Sequence, residues 1–421
     1  MSLRTQMTNL ARDAKRASLQ VAALAKNEKN KILKDMAKAL QKNTVRILRA
    51  NAKDVKNGRR KGLSSALLDR LRLDEKRIAL MADSILEVAR LHDPVGKILR
   101  EWKRPNGLKL RKVSVPLGVI LVIYEARPNV TAECVSLSLK SGNSIILKGG
   151  SEAYCSNHIL ATLFRDVLKK NNVPQAAVSF VSTTDRKAVD ALVVLTEYIS
   201  VVIPRGGEGL IRAVVEKSKI PVIKHYKGIC HVYVDEAADL TIAENIVLNA
   251  KLQRPGVCNA METLLVHAEI APFFLPTCVR RLQSRGCEIR GCSKTRTLLR
   301  GVPGIRRASR EDYETEYLDL ILSVRIVDSL DEAIEHIRTF GSAHTDAIVT
   351  ENKRVAQKFI DTVDSSSVMV NASTRFSDGN QYGLGAEIGI STDKIHARGP
   401  MGLEGLTSYK YIVLGKGQIR T

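Results

Sequence analysis

The chain has 421 residues, of which 44% are hydrophobic and 26% charged, a balance typical of a globular protein with two or three domains. No apolar run approaches the roughly 18 residues of a membrane helix and no signal-peptide segment begins the chain, so we expect a cytoplasmic protein. Its seven cysteines lack Cys-x-x-Cys spacing and show no metal-ligand spacing with the histidines, which predicts reduced thiols and no metal site.

The net charge of +22 is concentrated at the N-terminus, because residues 1–112 hold 29 Lys/Arg against 11 Asp/Glu. Such a segment is compatible with nucleic-acid binding, with steering of anionic substrates, or with solvated faces of ordinary helices. No aromatic residues alternate with the basic ones, so a platform for stacking single-stranded bases is absent. Solvated helix faces are the favoured interpretation.

Residues 1–92 have helical patterns throughout. In the first helix, apolar residues recur at spacings of four and three and predict one inward stripe. The stripe consists of Leu3, Met7, Leu10, Ala14, Ala17, Val21 and Leu24.

Two alternating segments, 98–104 and 108–114, flank the turn residues Asn106 and Gly107 and predict a β-hairpin. A lone hairpin is unstable in water. This hairpin therefore needs a partner, which we expect to be another subunit.

From residue 118 to 217, apolar strands alternate with helical segments, which predicts a parallel, doubly wound sheet. The strands are predicted at 118–124, 144–148, 178–181 and 199–203. Ligands of such sheets bind at the carboxyl ends of the strands.

Two glycine-rich turns follow strands of this sheet, at Lys148-Gly149-Gly150-Ser151 and Arg205-Gly206-Gly207-Glu208-Gly209. Backbone amides and a helix N-terminus suit phosphate groups, although neither turn has the Gly-x-Gly-x-x-Gly spacing. Ordinary βα turns and a dinucleotide site remain equally good interpretations. After the first strand, Asn129 lies near the start of a helix and is either an oxyanion donor or, as these residues alone favour, a capping residue.

Cys258 lies on a loop after Pro255-Gly256 and just before an apolar strand, 262–266, with Arg254 beside it. A helix over 240–251 precedes the loop. Exposure and nearby positive charge favour a reactive thiolate, whereas most cysteines are simply buried. Cys258 is the best candidate nucleophile among the seven cysteines.

A second βα series follows, with strands predicted near 262–266, 320–327, 346–349 and 367–370. The glycine-rich stretch 383–402 includes His396 and Arg398, which could bind a carboxylate or phosphate, although a lone histidine is more often structural. The tail, 406–414, has a strand pattern.

Long stretches of the chain resemble the γ-glutamyl phosphate reductase family, the proline-biosynthesis branch of the aldehyde dehydrogenase superfamily. The matching stretches are 116–131, 139–153, 253–259 and 382–404, in the order of the family.

The resemblance implies an α/β fold with a Rossmann-like cofactor domain, an α/β catalytic domain and a small β oligomerisation element. We assign the cofactor-binding domain to 1–96 and 115–250, and the catalytic domain to 251–404. The oligomerisation element, 97–114 and 405–421, would pair the hairpin with the C-terminal strand across subunits.

By position in the family, Cys258 is the nucleophile that forms a thioester with γ-glutamyl phosphate. The resemblance also implies that Asn129 and the Cys258 amide hold the oxyanion. Arg127, Arg254 and Arg398 are candidates for substrate binding.

The implied cofactor is NADPH. Lys148 and Ser151 match positions that contact the adenosine ribose, and Gly206 and Gly207 match the pyrophosphate turn. Glu316 matches the position that binds the nicotinamide ribose.

His225 stands where hydrolytic aldehyde dehydrogenases carry a glutamate base, which fits a reductase that must not hydrolyse its thioester. The implied activity is NADPH-dependent reduction of γ-glutamyl phosphate to glutamate 5-semialdehyde, by a homo-oligomer linked functionally to a glutamate 5-kinase. The alternatives are another acyl-phosphate or aldehyde oxidoreductase of this superfamily, or a basic nucleic-acid-binding protein.

Overall fold

The computed structural model describes residues 1–420, without the side chain of Ala66. The chain forms two compact units. Unit 1 comprises Met1–Lys224, Gly383–Ile390 and the described residues from Ile395 onward, and unit 2 comprises His225–Tyr382 and Ser391–Lys394. None of the helices within residues 1–420 is both long and apolar enough to cross a membrane.

The helices are α1 (Leu3–Ala23), α2 (Lys26–Lys42), α3 (Thr44–Arg60), α4 (Ser65–Leu71), α5 (Glu75–Arg90), α6 (Pro128–Lys140), α7 (Tyr154–Lys170), α8 (Lys187–Leu192), α9 (Glu208–Lys217), α10 (Leu240–Leu252), α11 (Ala271–Gln283), α12 (Ser293–Leu298), α13 (Arg310–Tyr313), α14 (Leu330–Phe340) and α15 (Lys353–Thr362). The strands are β1 (Ile98–Lys103), β2 (Lys109–Pro116), β3 (Val119–Tyr124), β4 (Ser144–Gly149), β5 (Val178–Phe180), β6 (Val201–Arg205), β7 (Cys230–Val234), β8 (Met261–His267), β9 (Glu288–Gly291), β10 (Ile305–Arg307), β11 (Ile321–Val327), β12 (Thr345–Val349), β13 (Ser367–Val370), β14 (Ile390–Ser391), β15 (Gly399–Pro400) and β16 (Thr407–Leu414).

The main sheet of unit 1 has the order β5-β4-β3-β6, and all its strands are parallel. Every residue of β3 is buried, because helices cover both faces of the sheet. The strand order reverses between β3 and β6, and ligands of open α/β sheets bind at such a point. The predicted parallel sheet is confirmed.

The predicted stripe of α1 also lies inward: Met7, Ala14, Ala17 and Val21 are buried, together with Ala11.

A three-stranded antiparallel sheet, β1-β2-β16, contains the predicted hairpin. Thr407 pairs with Pro116 and Leu414 with Lys109, so the partner strand comes from the same chain. The prediction that this pairing crosses subunits was wrong. The turn before β16 is anchored to the same chain, which holds β16 beside β2. Leu406 in this turn is fully buried, and its carbonyl oxygen accepts a hydrogen bond from Asn143 Nδ2 at 2.9 Å.

The sheet of unit 2 has the order β10-β9-β11-β8-β7-β12-β13, and its strands are again parallel. The strands predicted after residue 260 are found as β8, β11, β12 and β13, whereas β9 and β10 are additional. Unit 2 begins at His225, before the predicted limit at residue 251, because β7 pairs with β8 and β12. Most of the stretch 383–404 belongs to unit 1, although the prediction placed it in the catalytic domain.

A buried ion pair joins the end of α10 to β8. Lys251 Nζ lies 2.7 Å from Glu262 Oε2, with both side chains at most 1% exposed. Glu262 Oε1 also accepts the backbone N–H of Leu318 at 3.1 Å. Burial raises the pKa of Glu262 to about 7, although the charge of Lys251 opposes this shift.

Replacing Lys251 with alanine is expected to lower the free energy of unfolding by about 3–5 kcal/mol, because a buried carboxylate loses its partner. The double variant Lys251→Met/Glu262→Gln keeps the acceptor for Leu318 and should recover much of this loss. Urea-induced unfolding measures both effects. An exposed pair provides the control: Lys294→Ala, which removes the ion pair with Asp328, should change stability by less than about 1 kcal/mol. An equally small effect of Lys251→Ala would contradict the prediction.

His336 on α14 is 4% exposed, and neither of its ring nitrogens has a hydrogen-bond partner within the described residues. Its ring contacts those of His231, Tyr313 and Phe340. Burial, followed by the neighbouring His231, lowers the pKa of His336 to about 2. The native state therefore disfavours the protonated ring.

Stability is expected to fall as the pH drops below about 6.5. His336 then becomes protonated in the unfolded chain but stays neutral in the folded protein. The contribution of this side chain is about 1.4 kcal/mol per pH unit, or about 2 kcal/mol at pH 5. In His336→Leu, the pH dependence of urea-induced unfolding should lose this slope, while a control at the exposed His158, His158→Leu, should retain it. An unchanged slope in His336→Leu would refute this assignment.

Candidate active site

The loop of Cys258 connects α10 to β8 in unit 2, as the sequence predicts. Helix α10 begins after Asp239, whose side chain accepts the N–H of Ile242 at 2.8 Å, and it ends at Leu252. Strand β8 begins at Met261 and is buried at all but its last position. Cys258 itself is half-buried, so its thiol is neither sealed in the core nor fully exposed to solvent.

Three contacts hold the Cys258 loop in place. Cys230 Sγ donates to the carbonyl oxygen of Cys258 at 3.2 Å. Asn259 Nδ2 donates to the carbonyl oxygen of Ser377 at 2.8 Å. Gly228 passes so close that a Cβ atom on it would lie 1.9 Å from the Cys258 carbonyl oxygen. The backbone around the thiol is therefore fixed by neighbours distant in sequence.

Two histidines lie beside the thiol. One ligand-type atom each of His225, Cys258 and His344 lies within 4.8 Å of the other two. The rings of His225 and His344 are 5.4 Å apart in an edge-to-face arrangement. Burial, followed by the charge of His225, lowers the pKa of the fully buried His344 to about 3.

His225 is a residue that the family resemblance indicates, whereas His344 was not predicted. This histidine precedes β12, which is remote from Cys258 in the chain, and no sequence spacing links the two residues.

Arg254 and Arg375 bring positive charge to the loop. Arg375 Nε donates to Gln253 Oε1 at 2.8 Å, which ties the segment after β13 to the Cys258 loop. Burial, followed by the neighbouring Arg254, lowers the pKa of Arg375, while the nearby Asp378 and Cys258 oppose the shift. Arg375 is not among the arginines predicted to bind substrate, because the sequence does not show its proximity to Cys258.

The segment of Glu316 packs against the same loop. Glu316 is half-buried, and its charge acts on both Cys230 and Glu262. The carbonyl oxygen of Leu318 would be 3.6 Å from a Cβ atom on Gly256. Unit 2 thus brings the predicted residues Cys258, Arg254 and Glu316 together, whereas the other predicted site residues belong to unit 1.

The glycine turn after β6 has one backbone amide already bound to an anionic group. The N–H of Gly207 donates to Glu125 Oε2 at 2.9 Å, directly before α9. A Cβ atom on Gly206 would approach this carboxylate to 2.5 Å, while the space beside Gly207 is open. The Glu125 carboxylate occupies the kind of position that a phosphate oxygen would take. The turn therefore has a backbone donor suited to a phosphate group.

Lys148 and Ser151 lie at the end of β4 and just after it. Lys148 is 6% exposed and its Nζ donates to the carbonyl oxygen of Gly149 at 3.1 Å. Burial lowers the pKa of Lys148, with Glu152 and Asp185 opposing the shift. Ser151 is exposed and begins a short 3-10 turn that leads into α7. Both residues share the carboxyl edge of the unit 1 sheet with the turn of Gly207.

The remaining predicted residues of unit 1 have different surroundings. Arg127 is exposed at the start of α6, and Arg398 is half-buried in the C-terminal part of the chain. Asn129 is half-buried on the first turn of α6, and its Nδ2 donates to Glu133 Oε1 at 2.8 Å. One amide hydrogen of Asn129 is therefore engaged within its own helix.

Comparison with known proteins decides the family. The family model of the aldehyde dehydrogenases matches residues 2–288. Over 420 residues, covering all of both chains, the sequence is 54% identical to a γ-glutamyl phosphate reductase from Geobacter metallireducens. The chain belongs to the γ-glutamyl phosphate reductase family, a branch of the aldehyde dehydrogenases.

Solved structures agree with this family membership. The crystal structure of γ-glutamyl phosphate reductase from Thermotoga maritima has a TM-score of 0.96 and 46% identity, covering 99% of this chain and 100% of that one. An engineered glycolyl-CoA reductase with bound NADP⁺ has a TM-score of 0.67 at 16% identity, covering 97% and 96% of the two chains, which is a likeness of fold. Aldehyde dehydrogenases use a nicotinamide cofactor.

Proposed function

We propose that this protein reduces γ-glutamyl phosphate to glutamate 5-semialdehyde and phosphate, with NADPH as reductant and Cys258 as nucleophile. Relatives more than half identical over the whole chain carry the name of this activity. The observation that carries the proposal is the half-buried Cys258 thiol on a helix-to-strand loop, with Arg254, Arg375 and two histidines around it. A competing role in nucleic-acid binding is not favoured, so the basic N-terminal charge is assigned to solvated helix faces.

The first chemical step is attack of the Cys258 thiolate on the acyl carbon. The C–S bond forms, the C–O bond to the phosphoryl group breaks, and inorganic phosphate leaves with the bonding electrons. The guanidinium groups of Arg254 and Arg375 stabilise the phosphate as its negative charge grows. Asn129 and the backbone N–H of Cys258 are assigned to the oxyanion of the tetrahedral intermediate.

The second step converts the thioester to the aldehyde. Bound NADPH supplies the hydride for this reduction. The chain must keep water from the thioester in the meantime, and the replacement of a glutamate base by His225 serves this purpose. When the C–S bond breaks, the aldehyde leaves and the thiolate of Cys258 is restored.

The residues assigned to the cofactor are those that match cofactor-binding positions of the family. Lys148 and Ser151 would hold the adenosine end, and the turn of Gly206 and Gly207 would receive the pyrophosphate. A cationic Lys148 beside the small Ser151 favours a 2′-phosphate and hence NADPH over NADH. Glu316 is assigned to the nicotinamide ribose.

The small sheet β1-β2-β16 is proposed to mediate a homo-oligomer. It exposes several large apolar side chains, and exposed apolar surface of this kind is typical of interaction surfaces. These side chains are Ile98, Leu99, Tyr409, Tyr411, Val413 and Leu414. The substrate is a labile acyl phosphate, so a kinase acting on the γ-carboxylate of glutamate must supply it.

Phosphate-dependent reduction of NADP⁺ with glutamate 5-semialdehyde tests the proposed function in the reverse direction. We expect turnover to require phosphate, to be faster with NADP⁺ than with NAD⁺, and to fall with semialdehydes of other chain lengths. Preference for another chain length would support a different member of the superfamily. Turnover in the absence of phosphate, or none under any of these conditions, would refute the proposed reaction.

A further inference from the structure

We propose that Cys258, His225 and His344 form an inhibitory binding site for Zn²⁺. One thiolate and two imidazoles are a usual zinc ligand set, and three protein ligands leave the fourth position for water. The spacing of cysteines and histidines in the sequence predicted no metal site, so this proposal departs from that prediction. The inhibition rests on the proposed role of Cys258, whereas the binding of the metal does not.

The three side chains are close enough to share one ion. Their ligand-type atoms lie within 4.8 Å of one another. Zinc bonds of about 2.0–2.3 Å place tetrahedral ligands roughly 3.5 Å apart. Side-chain rotations that close the cluster by about 1 Å are therefore required, and both Cys258 and His225 are only half-buried.

His344 already has the environment of a zinc ligand. Its ring is fully buried, and Nδ1 lies 2.8 Å from Thr345 Oγ1. Nε2 has no hydrogen-bond partner within the described residues 1–420. A polar partner on one ring nitrogen fixes the orientation of the ring and leaves the other nitrogen for a metal.

Nearby positive charge limits the affinity of the site. Arg375 lies within electrostatic range of both Cys258 and Arg254, and these guanidinium groups oppose a dication. The thiolate offsets part of this repulsion. We therefore expect binding on the order of micromolar, weaker than that of structural zinc sites.

Zinc in this site would block the reaction without unfolding the chain. The sulfur lone pair that attacks the acyl carbon would instead be bound to the metal. Inhibition should be reversed by a chelator, because no covalent bond to carbon forms.

Titration of the chelator-treated full-length protein with Co²⁺ under anaerobic conditions tests the site. We expect one Co²⁺ per chain, with a sulfur-to-cobalt charge-transfer band that Cys258→Ala abolishes and that added Zn²⁺ displaces. His225→Gln and His344→Gln should each weaken binding at least about tenfold, because even the loss of a group that only hydrogen-bonds a metal ligand costs about 10–100-fold in affinity. The control His267→Gln changes a histidine of the same unit outside the cluster and should bind Co²⁺ like the parent.

Absence of the charge-transfer band would overturn the proposal. So would parental affinity in both His225→Gln and His344→Gln, because the thiol would then bind the metal without the histidines. Activity is measured in parallel. A protein that binds Co²⁺ as expected but never turns over the semialdehyde would refute the proposed function and leave the metal site intact.

Discussion

Replacing Cys258 with alanine is expected to lower the rate of semialdehyde oxidation by a factor on the order of 10³ or more, because no other group can form the thioester. The fold should persist, since a half-buried thiol contributes little packing. Steady-state NADP⁺ reduction with phosphate measures the loss. Mass spectrometry after acid quenching should show an acyl adduct on the parent protein, supplied with semialdehyde and NADP⁺ but without phosphate.

Cys292 provides the matched control for this experiment. It is also half-buried in unit 2, and its Sγ accepts the N–H of Thr295 at the start of α12. Serine is a good capping residue, so Cys292→Ser should preserve both stability and activity. An acyl adduct in Cys258→Ala, or parental activity in that variant, would show that another residue is the nucleophile.

Replacing Gly228 with alanine is expected to lower activity at least about 100-fold, although position 228 carries no reacting group. The new Cβ atom would lie 1.9 Å from the Cys258 carbonyl oxygen, so the backbone must move. A shift of about 1 Å in a nucleophile is enough for this loss. The measurement is kcat for semialdehyde oxidation, together with the rate at which iodoacetamide alkylates Cys258.

Gly256→Ala is the control for added volume in the same region. Its Cβ atom would meet only the carbonyl oxygen of Leu318 at 3.6 Å, an ordinary contact. We expect this variant to keep most of its activity. If Gly228→Ala retained parental kcat and alkylation rate, the close approach at Cys258 would have no role in positioning the thiol.

The proposed zinc site and the Gly228 contact both involve Cys258, but they depend on different parts of this residue. Gly228 holds the backbone of Cys258, whereas the metal requires the side chain to rotate toward His225 and His344. Gly228→Ala should therefore affect turnover more than Co²⁺ binding affinity.

Local sequence patterns determined the alternation of helices and strands and the loop of Cys258. Apolar runs such as β3 are buried on both faces, so their composition already predicts a covered parallel sheet. Pro255 and Gly256 end a helical pattern, so the helix-to-strand loop could also be predicted from neighbouring residues alone. The matching family stretches indicated the activity.

Local sequence patterns did not predict which strands pair when they are far apart in the chain. The sequence indicated that the hairpin needs a partner, but only the tertiary structure shows that β16 of the same chain fills this role. Strand β7 precedes residue 251, within the range predicted for the cofactor-binding domain. It nevertheless belongs to the unit 2 sheet, because it forms hydrogen bonds with β8 and β12.

Only the tertiary structure shows which residues distant in the chain lie beside Cys258. His344 lies just before β12, and Arg375 reaches the loop from the segment after β13. In a parallel sheet the amino ends of the strands lie at one edge, so Cys258 before β8 and His344 before β12 become neighbours although they are far apart in the chain. The sequence alone predicted which residue carries the reactive sulfur, and strand order determined which side chains surround it.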